Sequence, residues 1–208
     1  MASLAVPASA RISPALPPPH DGGRRALDAE LIRRTVAGDD AAARELHRHY
    51  QPIVSSFLRK LGTQPHELED ACQDVFTLFF RHVASFRGEA ELKTWVFRLC
   101  ASEARRVRRR RRIGAALTAV LRSEPAEDVV APAVRSDATI HELATRALDR
   151  MTPEQRLAFV LFEVEGLRGK QAAEVTGKSL AWTFRRLYEA QQIFRETLGI
   201  EPPRGDET

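Results

Sequence analysis

Seven of the eight residues from Arg105 to Arg112 are arginine. Guanidinium groups at that density repel one another until an anion neutralises them, so the run points to a polyanion, foremost the phosphates of a nucleic acid. A solvated helix end and a nuclear-localisation-like patch are the plainer readings of the same residues. Trp95 and Phe97 lie just ahead of the run. Unstacked bases settle on aromatic faces of this kind, and Trp95 equally fits an apolar core stripe. A second basic pair, Arg185 and Arg186, follows Ser179 and Trp182, and paired arginines suit guanine edges or phosphates. Charge of the other sign gathers in residues 61–80, where Glu67, Glu69, Asp70 and Asp74 occur with no Lys or Arg. Asp70, Gln73, Asp74 and Thr77 share one helical face there, which either meets solvent or docks on a basic partner. Nothing composes a catalytic site: there is no Gly-rich phosphate loop, no Ser or Cys nucleophile paired with a His, and no carboxylate couple. His47 and His49 are two residues apart on a helix and do not converge on a metal, and Cys72 and Cys100 lack zinc spacing. Neither an enzyme nor a metal or cofactor site is expected.

The chain that must position these groups has 208 residues, 43% apolar and 29% charged, ordinary for one medium soluble domain or two small ones. No uncharged stretch approaches the about 20 apolar residues of a membrane span, so no membrane insertion is expected. Five prolines and one Arg in the first 20 residues are the wrong pattern for a secretory signal, and two lone cysteines suit a reducing compartment. The expected location is cytoplasmic. The formal charge of +4 is the difference between 32 bases and 28 acids. Trp95 to Arg112 alone holds eight Arg against Glu103, or +7, leaving −3 for everything else. The positive charge is therefore focused.

Apolar spacing predicts helices throughout, with no competing β alternation. Residues 1–26 are rich in Pro, Ala, Gly and Ser and read as a flexible tail. A first helical pattern begins near Leu27, pauses at Gly38 and Asp39, and resumes through Leu46, Tyr50, Ile53, Phe57 and Leu61, with Pro52 predicting a kink or break. A second starts at Pro65 and carries Leu68, Cys72, Val75 and Phe79. A third carries Leu92, Trp95, Val96, Leu99 and Val107 into the arginine run. Residues 113–136 read as a linker, with a short helix possible at 115–121. A second domain, 137–201, opens with Ile140, Leu143 and Ala147, followed by the capping box Thr152-Pro153-Glu154-Gln155. Residues 169–198 then give a short helix, a glycine turn at Gly177 and a longer helix capped by Ser179, with Leu180, Phe184, Leu187, Phe194 and Leu198 expected inward and Ala173 at the crossing. That is the order of a helix-turn-helix, or of an ordinary helical hairpin. Residues 202–208 form a tail.

In their order and spacing, the segments GDDAAARELHRHY, ELEDACQDVFTLFFRHVASFRGEAELKTWVFRLCASEARRVRRRRR and LDRMTPEQRLAFVLFEVEGLRGKQAAEVTGKSLAWTFRRLYEA resemble the sigma-70 family of bacterial RNA polymerase, extracytoplasmic-function (ECF) type. The resemblance spans residues 27–199. It implies an all-α protein of two small helical domains joined by a flexible linker: domain two over 27–112, which binds polymerase and the minus-10 element, and domain four over 137–201, which binds the minus-35 element. Carried over by position, Asp70, Gln73, Asp74 and Phe76 fall in the segment that docks on core RNA polymerase. Phe86 to Leu92 match the loop that holds a flipped base of the melted strand, and Trp95 to Arg109 the helix that grips the minus-10 element. The DNA-binding set is then Arg87, Lys93, Arg98, Ser102, Arg105, Arg106, Arg108 and Arg109 in domain two, with Ser179, Trp182, Arg185 and Arg186 in domain four. Trp182 would make an apolar contact, to a thymine methyl for example. The implied partners are core RNA polymerase, double-stranded promoter DNA with its melted strand, and an anti-sigma factor.

Departures from the family pattern fall in the segments assigned to DNA. Ser102 stands where Asn is usual, Leu92 and Lys93 where aromatic residues are common, Trp182 where a small polar residue reads DNA, Thr183 where an aliphatic one packs inward, and Phe184 where a base is usual. These changes suggest an apolar seam rotated toward Phe184. The leading reading is a promoter-specificity factor. A sigma-like interaction protein without promoter recognition is the alternative, and a stand-alone helix-turn-helix repressor a third, which the acidic 67–74 face disfavours.

Overall fold

The structure, a computed structural model, describes residues 22–122 and 139–199. The residues 1–21, 123–138 and 200–208, which include most of the N-terminal tail, the C-terminal tail and most of the linker read from the sequence, lie outside the described residues; residues 22–26, read as tail, are helical. Among the described residues every regular element is helical.

Four helices form the first bundle: α1 (Gly22–Val36), α2 (Asp40–Lys60), α3 (Leu68–His82) and α4 (Leu92–Arg122). The first begins five residues ahead of the expected Leu27. Asp39 starts α2 by accepting hydrogen bonds from the Ala41 and Ala42 amides at 2.8 and 3.2 Å, which satisfies two of the orphan donors of a helix start. Pro52 does not break α2; it lies on the exposed side, where the carbonyl freed by its missing N–H meets water. Pro65 opens a 3-10 turn that runs into α3. Most of the stripe read from the sequence is core: Leu46, Tyr50 and Phe57 of α2 meet Val75 and Phe79 of α3 and Val96 of α4, joined by Val54, Phe97 and Cys100, while Ile53 and Leu99 are only partly buried. The Phe57 and Phe97 rings stack at 4.1 Å. Trp95 is 9% exposed and packs on Phe79 and Phe86. Both aromatics ahead of the arginine run are therefore core residues and offer no face to a base.

The second bundle contains α5 (Ile140–Arg150), α6 (Pro153–Phe159) prolonged by a π-helical turn through Val164, α7 (Gly169–Thr176) and α8 (Leu180–Leu198). The Thr152 box forms as read: Thr152 Oγ1 accepts from the Gln155 amide, and Gln155 Oε1 from the Thr152 amide. The Phe159 ring packs tilted against Phe194 in a small core with Met151 and Ala190. Gly177 takes φ +66°, a conformation costly for a residue with a Cβ.

Two features differ from the sequence reading. First, α4 does not stop at Arg112 but continues to Arg122, so residues 113–122, read as linker, are helical. Second, the bundles share a core. Leu157, Val160, Leu161, Leu167, Ala172 and Val175 join the apolar cluster of α2 to α4, with α7 lying on α4. Ala172, fully buried, gives the small surface at this crossing.

The bond that ties α1 to α2 is polar and buried. The Tyr50 hydroxyl donates to Asp28 Oδ2 at 2.6 Å, and Arg24 pairs with the other oxygen at 2.7 Å. Burial, with the Asp28 carboxylate second, pushes the phenol pKa far up. Removing the hydroxyl leaves a 6%-exposed carboxylate short of a donor, so Tyr50→Phe should cost about 1–3 kcal/mol in urea unfolding. Arg33→Ala, which breaks only the exposed Glu30 pair, should leave the midpoint in place.

Candidate nucleic-acid interface

Helix α4 turns its arginines to different sides because one turn is 3.6 residues. Arg98, Ser102, Arg105, Arg109 and Arg112 recur every three or four residues and are all exposed. They form one continuous outward stripe of four guanidinium groups. Arg106 and Arg110 lie on another side and face α3. Arg106 donates to Glu103 at 2.8 Å and pairs with Asp74, and Arg110 lies 3.6 Å from Glu103 and 3.9 Å from Asp74. Arg111 approaches Glu67 at 3.6 Å. Glu103 itself is 1% exposed. Arg108 is half-buried and donates to the Leu61 carbonyl at 3.3 Å. Burial draws its guanidinium pKa down, with Glu154 pulling the other way. The run is thus neutralised in part from within the chain. Of the residues assigned to DNA by resemblance, Arg106 and Arg108 serve the fold, and the acidic face of α3 and the basic face of α4 are partly partners of each other.

On α3, Asp70 and Gln73 are exposed, and Asp74 is held by Arg106. Phe76, assigned to polymerase docking, is 6% exposed; its ring packs against His47 at 4.2 Å and beside Phe80. It anchors α3 to α2 and presents no surface to a partner. Of the cysteines, Cys100 is buried and Cys72 half-buried. Burial raises both thiol pKa values, most at fully buried Cys100, so neither is a thiolate at neutral pH. No group of three or more His, Cys, Asp or Glu among the described residues could hold a metal.

Arg87 is exposed in the loop ahead of α4. Lys93 is not available in this closed arrangement: its ammonium sits 5.1 Å from the Phe97 ring centroid and 3.1 Å from Glu165 of the second bundle. Lys60 donates to the other Glu165 oxygen at 2.7 Å, and Arg156 donates to the Lys60 carbonyl at 2.6 Å. Beside this junction lies a cavity of about 370 Å³ lined by both bundles, including Tyr50, Phe86, Leu92 and Arg168. Sequence reasoning missed Lys60, Arg156 and Glu165, which are 96 and 105 residues apart in their pairs and carry no local signal.

In the second bundle α7, the Gly177 turn and α8 form the helix-turn-helix. Ser179 Oγ accepts from the Trp182 amide at 3.2 Å, so its side chain is the helix cap. The seam of α8 is not where apolarity placed it. Thr183 is fully buried, with Leu187 and Ala190; its hydroxyl is 3.2 Å from Thr176 Oγ1 and donates to the Ser179 carbonyl at 3.0 Å. Leu180 and Phe184, expected inward, are each 47% exposed. The Trp182 flank is closed by cations: Lys178 and Arg186 lie over its ring at 6.0 and 5.5 Å. Arg186 also pairs with Glu189 at 2.6 Å, and Gln155 of α6 donates to the same oxygen. Arg185 remains exposed.

Two helical units, one ending in an outward arginine stripe and the other a helix-turn-helix, define a two-part DNA-binding protein. Sequence profiles narrow this: Sigma-70 region 2 matches residues 46–114 and Sigma-70 region 4 residues 141–190. An ECF RNA polymerase sigma factor, SigM of Mycobacterium tuberculosis, is 31% identical over 180 residues, covering 86% of this chain and 88% of that protein. The ECF RNA polymerase sigma-E factor of Haemophilus influenzae is 25% identical over 193 residues, covering 82% and 95%. The fold matches that of the sigma factor RpoE solved with the anti-sigma factor NepR from Bartonella quintana, with a TM-score of 0.62 at 20% identity over 76% of this chain and 98% of the other. CnrH, solved with the cytosolic domain of CnrY, gives 0.57 at 20% identity over 86% and 98%. The chain belongs to the ECF sigma factors of RNA polymerase and is a promoter-specificity factor.

The sorting of arginines has a measurable consequence. The four outward guanidinium groups of α4 should contribute about −3.6 to the slope of log affinity against log salt. Replacing Arg105, Arg109 and Arg112 together by Gln should flatten it by about 2.7, while Arg106→Gln with Arg110→Gln should leave it unchanged and lower stability instead. Equal slopes for the two variants in fluorescence titrations would contradict the assignment.

The junction has a pH signature. Burial pushes the Glu165 carboxyl up, but the Lys60 and Lys93 ammonium groups outweigh it and hold its pKa below the usual 4.5. A depressed carboxyl pKa contributes stability that is complete above the unfolded value and fades as pH falls through the folded one. The contact between the bundles should therefore hold at neutral pH and weaken below about 4.5. Urea midpoints of wild type minus Glu165→Gln should be positive at neutral pH and shrink toward zero in acid.

Proposed function

We propose that this sigma factor docks on core RNA polymerase through the outward side of α3, at Asp70 and Gln73 with Asp74 at its edge. It grips the minus-10 element with Arg98, Ser102, Arg105 and Arg109 of α4 and Arg87 of the preceding loop, and meets the minus-35 element with the outward face of α8. The observation that carries this reading is the sorting of α4: a stripe of four exposed arginines is separated from those spent on Glu103 and Asp74. Domain two is taken as 27–112 and domain four as 137–201. The factor acts by binding alone, in the cytoplasm where the polymerase works, with no cofactor or covalent chemistry. An anti-sigma factor is its regulator, in keeping with RpoE and CnrH, solved with NepR and CnrY.

Reading both promoter elements at once has a structural cost. The elements lie about two DNA turns apart, ~70 Å, whereas α7 rests on α4 in the closed chain. The Glu165 junction must therefore open when both are engaged, which also releases Lys93 toward DNA. The connection suffices: helical residues 113–122 advance ~15 Å, and the 16 residues that follow span at most ~55 Å.

The test is run-off transcription with purified core polymerase and a randomised promoter library. Transcripts should start downstream of members that share two spaced elements, and Asp70→Ala should lower core affinity roughly tenfold with helix content intact. Transcription no greater than core polymerase alone would overturn the reading.

A further inference from the structure

Helix α1 lies ahead of region 2 in the chain, and its first residues, 22–26, read as tail in the sequence. One of them reaches across the fold. Arg25 Nη2 donates to the Gly88 carbonyl at 2.6 Å, 63 residues away. Gly88 stands beside Arg87 in the loop between the 3-10 turn Val83–Ser85 and α4, at φ +70°, a conformation open to glycine. That loop is fixed at both ends. The Phe86 amide donates to the Val83 carbonyl at 3.1 Å and its ring packs on Trp95, while the Trp95 amide donates to the Glu91 carbonyl at 3.1 Å. Between these anchors, the bond from Arg25 is the one hydrogen bond among the described residues that reaches 87–90. The donor itself stands on a rigid base. Asp28, one turn along α1, is held by Tyr50 and Arg24, and Leu31 is buried, so the rotation of α1 about its axis is set. All of these residues belong to the first bundle, and the clamp therefore persists when the Glu165 junction opens.

Charge makes the shape of the loop decisive. Residues 86–91 hold one base, Arg87, against two acids, Glu89 and Glu91, and all three are exposed. A loop free to turn would bring its carboxylates to the phosphates as readily as its guanidinium, and like charges repel. We propose that Arg25 is a positioning residue for minus-10 binding: it holds the loop through the Gly88 carbonyl so that Arg87, and neither Glu89 nor Glu91, meets the DNA backbone. The inference rests on the reading that Arg87 grips the minus-10 element, and it gives α1 a part in promoter binding. A cationic donor on a carbonyl is among the stronger hydrogen bonds, which suits a single tie on a short loop. The rival is that Arg25, itself exposed, touches a phosphate directly.

The experiment uses the full chain assembled with core polymerase and a promoter duplex opened over the minus-10 element. Arg25→Ala should weaken promoter binding roughly three- to tenfold and flatten the salt slope by about 0.9, the share of one phosphate contact. Core affinity and helix content should not change. Arg25→Lys, which keeps a cationic donor for the Gly88 carbonyl, should restore most of the affinity. Arg87→Ala should give the same flattening, and adding Arg25→Ala to it should change nothing further, because Arg25 acts through Arg87. A flattening of about 1.8 in the double variant would place Arg25 on a phosphate of its own and overturn this inference alone. So would an unchanged slope in Arg25→Ala, or Arg25→Lys as weak as Arg25→Ala. An Arg87→Ala chain that binds like wild type overturns it together with the reading that Arg87 grips the element.

Discussion

The buried carboxylate of Glu103 decides what the rest of this molecule can do. A carboxylate at 1% exposure is tolerable only with cations at hand, and the chain supplies Arg106 one turn on and Arg110 two turns on. Once those two are drawn toward α3, Asp74 joins them, and the rotation of α4 about its axis is fixed. Arg98, Arg105, Arg109 and Arg112 then have no direction left but outward. An arginine run that would repel itself as an isolated helix becomes a structure with an inner half that neutralises and an outer half that attracts phosphate.

The same economy governs the second bundle. Thr183 is polar and fully buried, yet its hydroxyl is placed between Thr176 and Ser179, so the turn of the helix-turn-helix is pinned by hydrogen bonds. That leaves the more apolar Leu180 and Phe184 at the surface. Closure of α7 onto α4 buries Leu167, Ala172 and Val175, and one acidic residue, Glu165, answers two lysines across the junction. The closed chain therefore holds the helix-turn-helix against α4 through α7.

Much of this was legible in the sequence wherever the signal is local. The Thr152 box, the Gly177 turn, the Ser179 cap and the α2 stripe each rest on chemistry within four residues, and each is present. The resemblance to ECF sigma factors supplied the two-domain order. What failed was non-local or comparative. Asp74 and Arg106 are 32 residues apart, so no periodicity announces that they meet. Ranking residues by apolarity put Leu180 and Phe184 inside, because a threonine's two satisfied hydrogen bonds are invisible in a list of side chains. Phe76 was carried to a docking surface by position, although its neighbours on α2 needed it as core. The end of α4 was misjudged for a different reason: Ala115, Ala116 and Leu117 are strong helix formers, and Gly114 alone does not stop a helix already running.

The sorting of α4 is tested most directly by replacing Arg98, Arg105, Arg106, Arg109 and Arg110 one at a time with a photo-crosslinking residue and mapping products in the polymerase–promoter complex. Positions 98, 105 and 109 should crosslink to promoter DNA around the minus-10 element, and positions 106 and 110 to α3 of the same chain. Crosslinks to DNA of equal yield from 106 and 110 would contradict the division of the helix into a folding side and a promoter side.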